Sequence, residues 1–160
     1  MKKKSSELGR VLDGVETQQV LLGLLTALIA ARINHQTAHW QVRGTTSYGD
    51  HTLFDRLYTS IDAEIDTLAE KLVSLFGPES VDICCQKNGI SIHLANIEEE
   101  GDSPVARSLA VEASLQRLFK VVYSELKERG ELSLGMDDFL MAMANSHETN
   151  LYLLKQRSRS

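Results

Sequence analysis

Between His39 and Glu70 the chain carries a series of metal-ligand side chains whose spacing limits what it can fold into. A helix running from about Tyr48 to Phe76 places His51, Asp55, Asp66 and Glu70 at about 0°, 40°, 60° and 100° around its axis, so all four share one face. The pairs His51/Asp55 and Asp66/Glu70 are spaced i, i+4, and the two members of each pair reach one metal ion together. At about 1.5 Å per residue, however, Asp55 and Asp66 stand about 16 Å apart along the axis. One straight helix cannot close all four around one centre. A second copy, packed antiparallel about a two-fold axis near Ser60 and Ile61, brings His51 and Asp55 of one chain opposite Asp66 and Glu70 of the other. An isologous dimer then makes two such sites by symmetry.

The remainder of the sequence predicts helices of matching length. Two prolines and ten glycines in 160 residues leave long uninterrupted stretches. Leu21, Leu22, Leu25, Leu28, Ile29 and Ile33 recur at helical spacing over Glu16 to Val42, with Gly44 placed to end that helix. Leu57, Ile61, Ile65, Leu68 and Leu72 form the buried stripe of a second helix that stops at Gly77-Pro78. Residues 79–103 read as irregular, with a short helix over Ile92 to Ile97. Ser103-Pro104 is an N-cap followed by proline at N1 and opens a third helix that runs to Gly130. A fourth runs from about Ser133 to Gln156, with His147 in its apolar stripe as a core histidine. The fold class expected is all-α: a four-helix bundle whose second and third helices are parallel if the crossover spans the bundle. The domain spans residues 15–156, between a flexible basic tail at 1–14 and a short basic tail at 157–160.

Charge is uneven. The formal net charge is −5, yet the first ten residues carry a net +3 and the last six another +3, which leaves −11 on the body. An acidic body with basic ends attracts cations while its tails can touch a polyanion. Cys84 and Cys85 are adjacent and offer no disulfide framework. The start lacks an apolar signal core, and the apolar run Val20 to Ala31 is too short to span a bilayer. A cytoplasmic protein without a membrane partner is expected.

His39-Trp40, Gly44, His51, Asp55, Asp66 and Glu70 together resemble, in type and spacing, the signature of the Dps proteins (DNA protection during starvation), ferritin-like shells of twelve subunits. His147-Glu148 and Leu151-Tyr152-Leu153-Leu154 resemble that family's last helix. The resemblance implies a ferritin-like four-helix bundle with an extra helix in the crossover, and a dodecameric homo-oligomer. It also implies a ferroxidase site with His39, His51 and Asp55 from one chain and Asp66 and Glu70 from its two-fold mate. Iron, as Fe(II) and Fe(III), would be the metal, hydrogen peroxide or dioxygen the oxidant, and an Fe(III) mineral in the hollow shell the product. Trp40 would fill the dimer interface or absorb stray oxidising equivalents. The acidic group Glu128, Glu131, Asp137 and Asp138 would line pores or simply solubilise a helix turn. Asp62, close to the two-fold axis, departs from the apolar residue usual there.

Two histidines with three carboxylates suit iron, with zinc as the competing ion, and the ordinary ferritin pattern Glu-x-x-His is absent. Lys2, Lys3, Lys4, Arg157 and Arg159 read either as solubilising charge or, multiplied over a shell, as non-specific DNA contacts that would associate the protein with the nucleoid. Two other functions use the same residues: a non-catalytic DNA-packaging shell whose metal cements the dimer, and a diiron oxidase acting on an organic substrate.

Overall fold

The structure, a computed structural model, describes the backbone of residues 2–159 and the side chains of residues 16–159. Five helices follow one another: α1 (Lys2–Gln41), α2 (Ser47–Phe76), α3 (Ile83–Glu98), α4 (Pro104–Glu128) and α5 (Leu134–Ser158), with a short 3-10 turn at Pro78–Val81. Among the described residues none of these helices is long and apolar enough to cross a membrane.

Three differences from the sequence reading stand out. Backbone helix begins at Lys2, where composition predicts a flexible tail. The crossover helix is 16 residues long rather than the six of Ile92 to Ile97, so Cys84, Cys85 and Asn88-Gly89 are helical. At the other end α5 continues to Ser158, and Arg157 lies in its last turn, gripping Asp50 and Thr46 at the start of α2 instead of standing in a tail. Its guanidinium holds the Asp50 carboxyl below the ordinary carboxylate range.

The helix ends follow local chemistry. Ser103 accepts a hydrogen bond from the Ala106 amide at 3.2 Å, with Pro104 as the first helical residue. Ser133 does the same for Met136. Between α1 and α2 the chain reverses over five residues, and Gly44, at φ +88°, supplies the left-handed conformation that this reversal needs.

Cross-links fix the topology. Arg32 meets Asp62, so α1 and α2 are antiparallel. Arg129 meets Glu16 while His35 meets Glu112, so α1 and α4 are antiparallel too. The second and third bundle helices, α2 and α4, therefore run parallel, as the length of the crossover suggested. The apolar interior has two parts: a main cluster around Leu21, Leu25, Leu28, Leu68, Leu115, Phe119 and Met143, and a smaller one of Ala38, Phe54, Leu57 and Leu154 nearer the α1–α2 turn.

The crossover helix packs on α1 at Gly89, where an added Cβ would meet the Thr26 side chain at 2.6–2.9 Å. Gly89→Ala should therefore lower the melting temperature although alanine is the better helix former. Thermal unfolding of Gly89→Ala and of the double variant with Thr26→Ala checks this, the second change restoring what the first removes.

Candidate metal centre

The sharp α1–α2 turn brings His39, near the end of α1, against His51 in the first turns of α2. The two rings stack with centroids 3.5 Å apart. Nδ1 of His39 lies 2.9 Å from the His51 carbonyl oxygen, and Nδ1 of His51 lies 3.0 Å from the His39 carbonyl oxygen. A carbonyl only accepts, so each ring carries a proton on Nδ1, and in the neutral ring the lone pair then lies on Nε2. This is the tautomer that a metal-ligating histidine needs, with the backbone acting as the outer partner that orients the ring.

Two turns further along α2, Tyr58 donates to Asp55 at 2.8 Å and sets its ring edge-on to His39, 5.4 Å away. The Asp55 carboxylate raises the Tyr58 hydroxyl above its ordinary pKa. Arg32 lies over the other side of the Tyr58 ring and donates to Asp62 at 2.9 Å, so Asp62 is paired within its own chain. His51 and Asp55 are exposed, as is Trp40 beside His39, at 67%.

His39 and His51 are thus brought together at the α1–α2 turn, with Asp55 one turn beyond His51 and linked to His39 through Tyr58. Asp66 and Glu70 are not: they lie exposed on the same helix, about three turns further on. Within one chain, no group of three or more His, Cys, Asp or Glu side chains among the described residues is arranged to hold a metal ion. Of the acidic group near the α4–α5 turn, Glu131 accepts a hydrogen bond from Thr17.

A second polar cluster sits where sequence reasoning saw only a core histidine. His147 on α5 bonds through Nδ1 to Glu112 on α4 at 2.6 Å and through Nε2 to Glu64 on α2 at 2.8 Å. The other Glu112 oxygen is 3.0 Å from Nε2 of His35 on α1, whose Nδ1 is 3.0 Å from Ser108 Oγ. His35, Glu112 and His147 are fully buried. The signal was present in the sequence: Ser108 and Glu112 occupy the inward stripe of α4 that continues through Leu115, Phe119, Val122 and Leu126. A charged residue on an apolar stripe requires buried partners.

Burial pushes the Glu112 carboxyl up and His147 down, but their mutual hydrogen bonds, with those to His35 and Glu64, prevail. Glu112 is held at about 2 and His147 at about 9.

The chain was compared with known proteins. No protein-family model matches it. General stress protein 20U of Bacillus subtilis is 30% identical over 124 residues, covering 73% of this chain and 79% of that protein. The DNA protection during starvation protein of Brevibacillus brevis is 27% identical over 122 residues, covering 69% and 73%. Among solved structures, the Vibrio cholerae Dps protein, described as a member of a broad superfamily of ferritin-like diiron-carboxylate proteins, superposes with a TM-score of 0.73. It is 19% identical, with coverage of 91% and 90%, and that likeness establishes the ferritin-like bundle.

The His147 imidazolium stabilises the fold fully below its unfolded pKa of 6.5, and this contribution disappears as the pH rises through about 9. Denaturant unfolding followed across that window should show stability falling by roughly 3 kcal/mol. His147→Gln should start less stable and lose most of that slope.

Proposed function

The chain belongs to the Dps family, and on that premise we propose that it oxidises Fe(II) between two-fold related chains and stores the Fe(III) product inside a hollow homo-oligomeric shell. The observation that carries this reading is the reciprocal pinning of His39 and His51. Two imidazoles pinned through Nδ1–H, the tautomer that offers Nε2 to a metal, form with the Asp55 carboxylate half of a nitrogen and oxygen ligand set suited to iron. The other half, Asp66 and Glu70, comes from the antiparallel mate. A dodecamer is the assembly proposed, with Fe(II) as its substrate.

Two Fe(II) ions supply the two electrons that convert hydrogen peroxide and two protons into two waters. Oxidising them as a pair avoids the one-electron cleavage that releases hydroxyl radical, and dioxygen is the slower alternative acceptor. The chain's own contribution is to fix the ligands before the ions arrive. The stacked rings and the Tyr58 hydrogen bond hold the three near ligands in place, and the acidic body draws cations to the shell.

Non-specific DNA contact is proposed for Lys2, Lys3, Lys4 and Arg159. The lysine side chains lie outside the described residues, and Arg157, engaged by Asp50 and Thr46, is withdrawn from the set.

Replacing His51 and Asp55 together with alanine should reduce peroxide-dependent Fe(II) oxidation, followed by Fe(III) absorbance, at least a hundredfold without loss of helicity. Unchanged rates would remove the site assignment. Storage further predicts far more irons per shell than ligand sites, whereas a packaging shell or a diiron oxidase takes up only a site-limited number. Retention on duplex DNA should be visible at low salt and disappear at moderate salt. Absence of retention at low salt would leave iron storage standing and end the DNA reading.

A further inference from the structure

Each of the four bundle helices contributes one ligand-type side chain to the buried cluster: His35 from α1, Glu64 from α2, Glu112 from α4 and His147 from α5. One arrangement of protons satisfies all of its hydrogen bonds. Glu112 and Glu64 accept, so His147 carries protons on both nitrogens. His35 donates from Nε2 to Glu112 and receives the Ser108 hydroxyl at Nδ1, while Asn34 donates to Ser108 Oγ at 3.0 Å. With two carboxylates, one imidazolium and one neutral imidazole, the cluster holds a net charge of −1 in a layer between two apolar clusters.

We propose that His35 Nε2, His147 Nδ1 and the Glu112 carboxylate form a second metal site, within each subunit, for one divalent first-row transition-metal ion. Two imidazoles and one carboxylate are a recognised ligand set for such ions. Each ring's far nitrogen already has the outer partner that a ligating histidine requires: Glu64 at 2.8 Å from His147 Nε2 and Ser108 Oγ at 3.0 Å from His35 Nδ1. In the single chain the ligand atoms are held by protons rather than arranged around an ion. Neighbouring ligands at about 2.1 Å from an ion stand about 3 Å apart. The nitrogen–oxygen separations at Glu112 are 3.0 and 2.6 Å, to its two different oxygens, so both nitrogens already lie around the one carboxylate that would share the ion with them. The ion displaces the Nδ1 proton of His147, which is released to solvent, and the His35 proton moves from Nε2 to Nδ1, where Ser108 turns to accept it. The buried charge then becomes zero. Glu64, whose side chain is 13% exposed, lies where the cluster approaches solvent.

Co(II) tests this in the full chain with His39, His51 and Asp55 replaced by alanine, which removes the near half of the intersubunit site. That protein should bind one Co(II) per chain with the visible absorption of nitrogen and oxygen coordination. Adding His35→Gln should weaken binding at least tenfold. Glu64→Gln, which keeps all three ligands, should weaken it about 10- to 100-fold through the outer partner. Far-UV circular dichroism confirms that each variant is helical. Absence of Co(II) absorption in the three-alanine protein, or equal affinity in a folded His35→Gln variant, would overturn the proposal whatever the fate of the intersubunit site.

Discussion

The buried chain of hydrogen bonds from Glu64 through His147 and Glu112 to His35 is the constraint on which the arrangement of the four helices rests. Apolar packing alone tolerates sliding, because a leucine stripe offers similar contacts one turn along. The charged layer does not. A one-turn shift, about 5.4 Å, of any of the four helices would leave a carboxylate or an imidazolium buried without its partner, a loss of about 3–5 kcal/mol. The two apolar clusters above and below the layer supply the driving force, and the layer supplies the register.

That register is what makes the outer face of α1 and α2 useful. His39 and His51 exchange contacts with each other's backbone carbonyls only because the α1–α2 turn, with Gly44 at φ +88°, brings the two helices together at one height. His35, one turn before His39 on α1, faces the layer, so the same helix is anchored inside and presents His39 toward the α1–α2 turn. Arg157 adds a clasp at this end by holding Asp50 and Thr46, which fixes the first turn of α2. The helix that carries His51 and Asp55 is thus tied at its start to the end of the chain.

Much of this was legible in the sequence. The four bundle helices, the Ser103-Pro104 start and the stop at Gly77 follow from local chemistry that tertiary structure did not override. His51 and Asp55 were expected on one face from their i, i+4 spacing and His39 beside them from the family resemblance, and the rings of His39 and His51 do meet, whereas the partnership expected with Asp66 and Glu70 would need a second chain. The crossover was underestimated because Asn88-Gly89 signals a turn, while Gly89 is in fact the residue that lets α3 approach Thr26. The buried layer was missed for a different reason. His35, Glu64, Glu112 and His147 are far apart in sequence, and each alone reads as an isolated polar residue. Only the shared height of four stripes shows that they meet.

The two clusters differ in how their ligands are held, and the difference follows from burial. On the exposed face, neutral backbone carbonyls orient the rings through Nδ1, so neither contact uses Nε2. In the interior, two carboxylates keep His147 protonated, and the imidazolium holds its proton up to a pH of about 9. The open face therefore suits ions that arrive, react and leave. The closed layer, with each nitrogen of His147 committed to a carboxylate, suits holding the four helices in register.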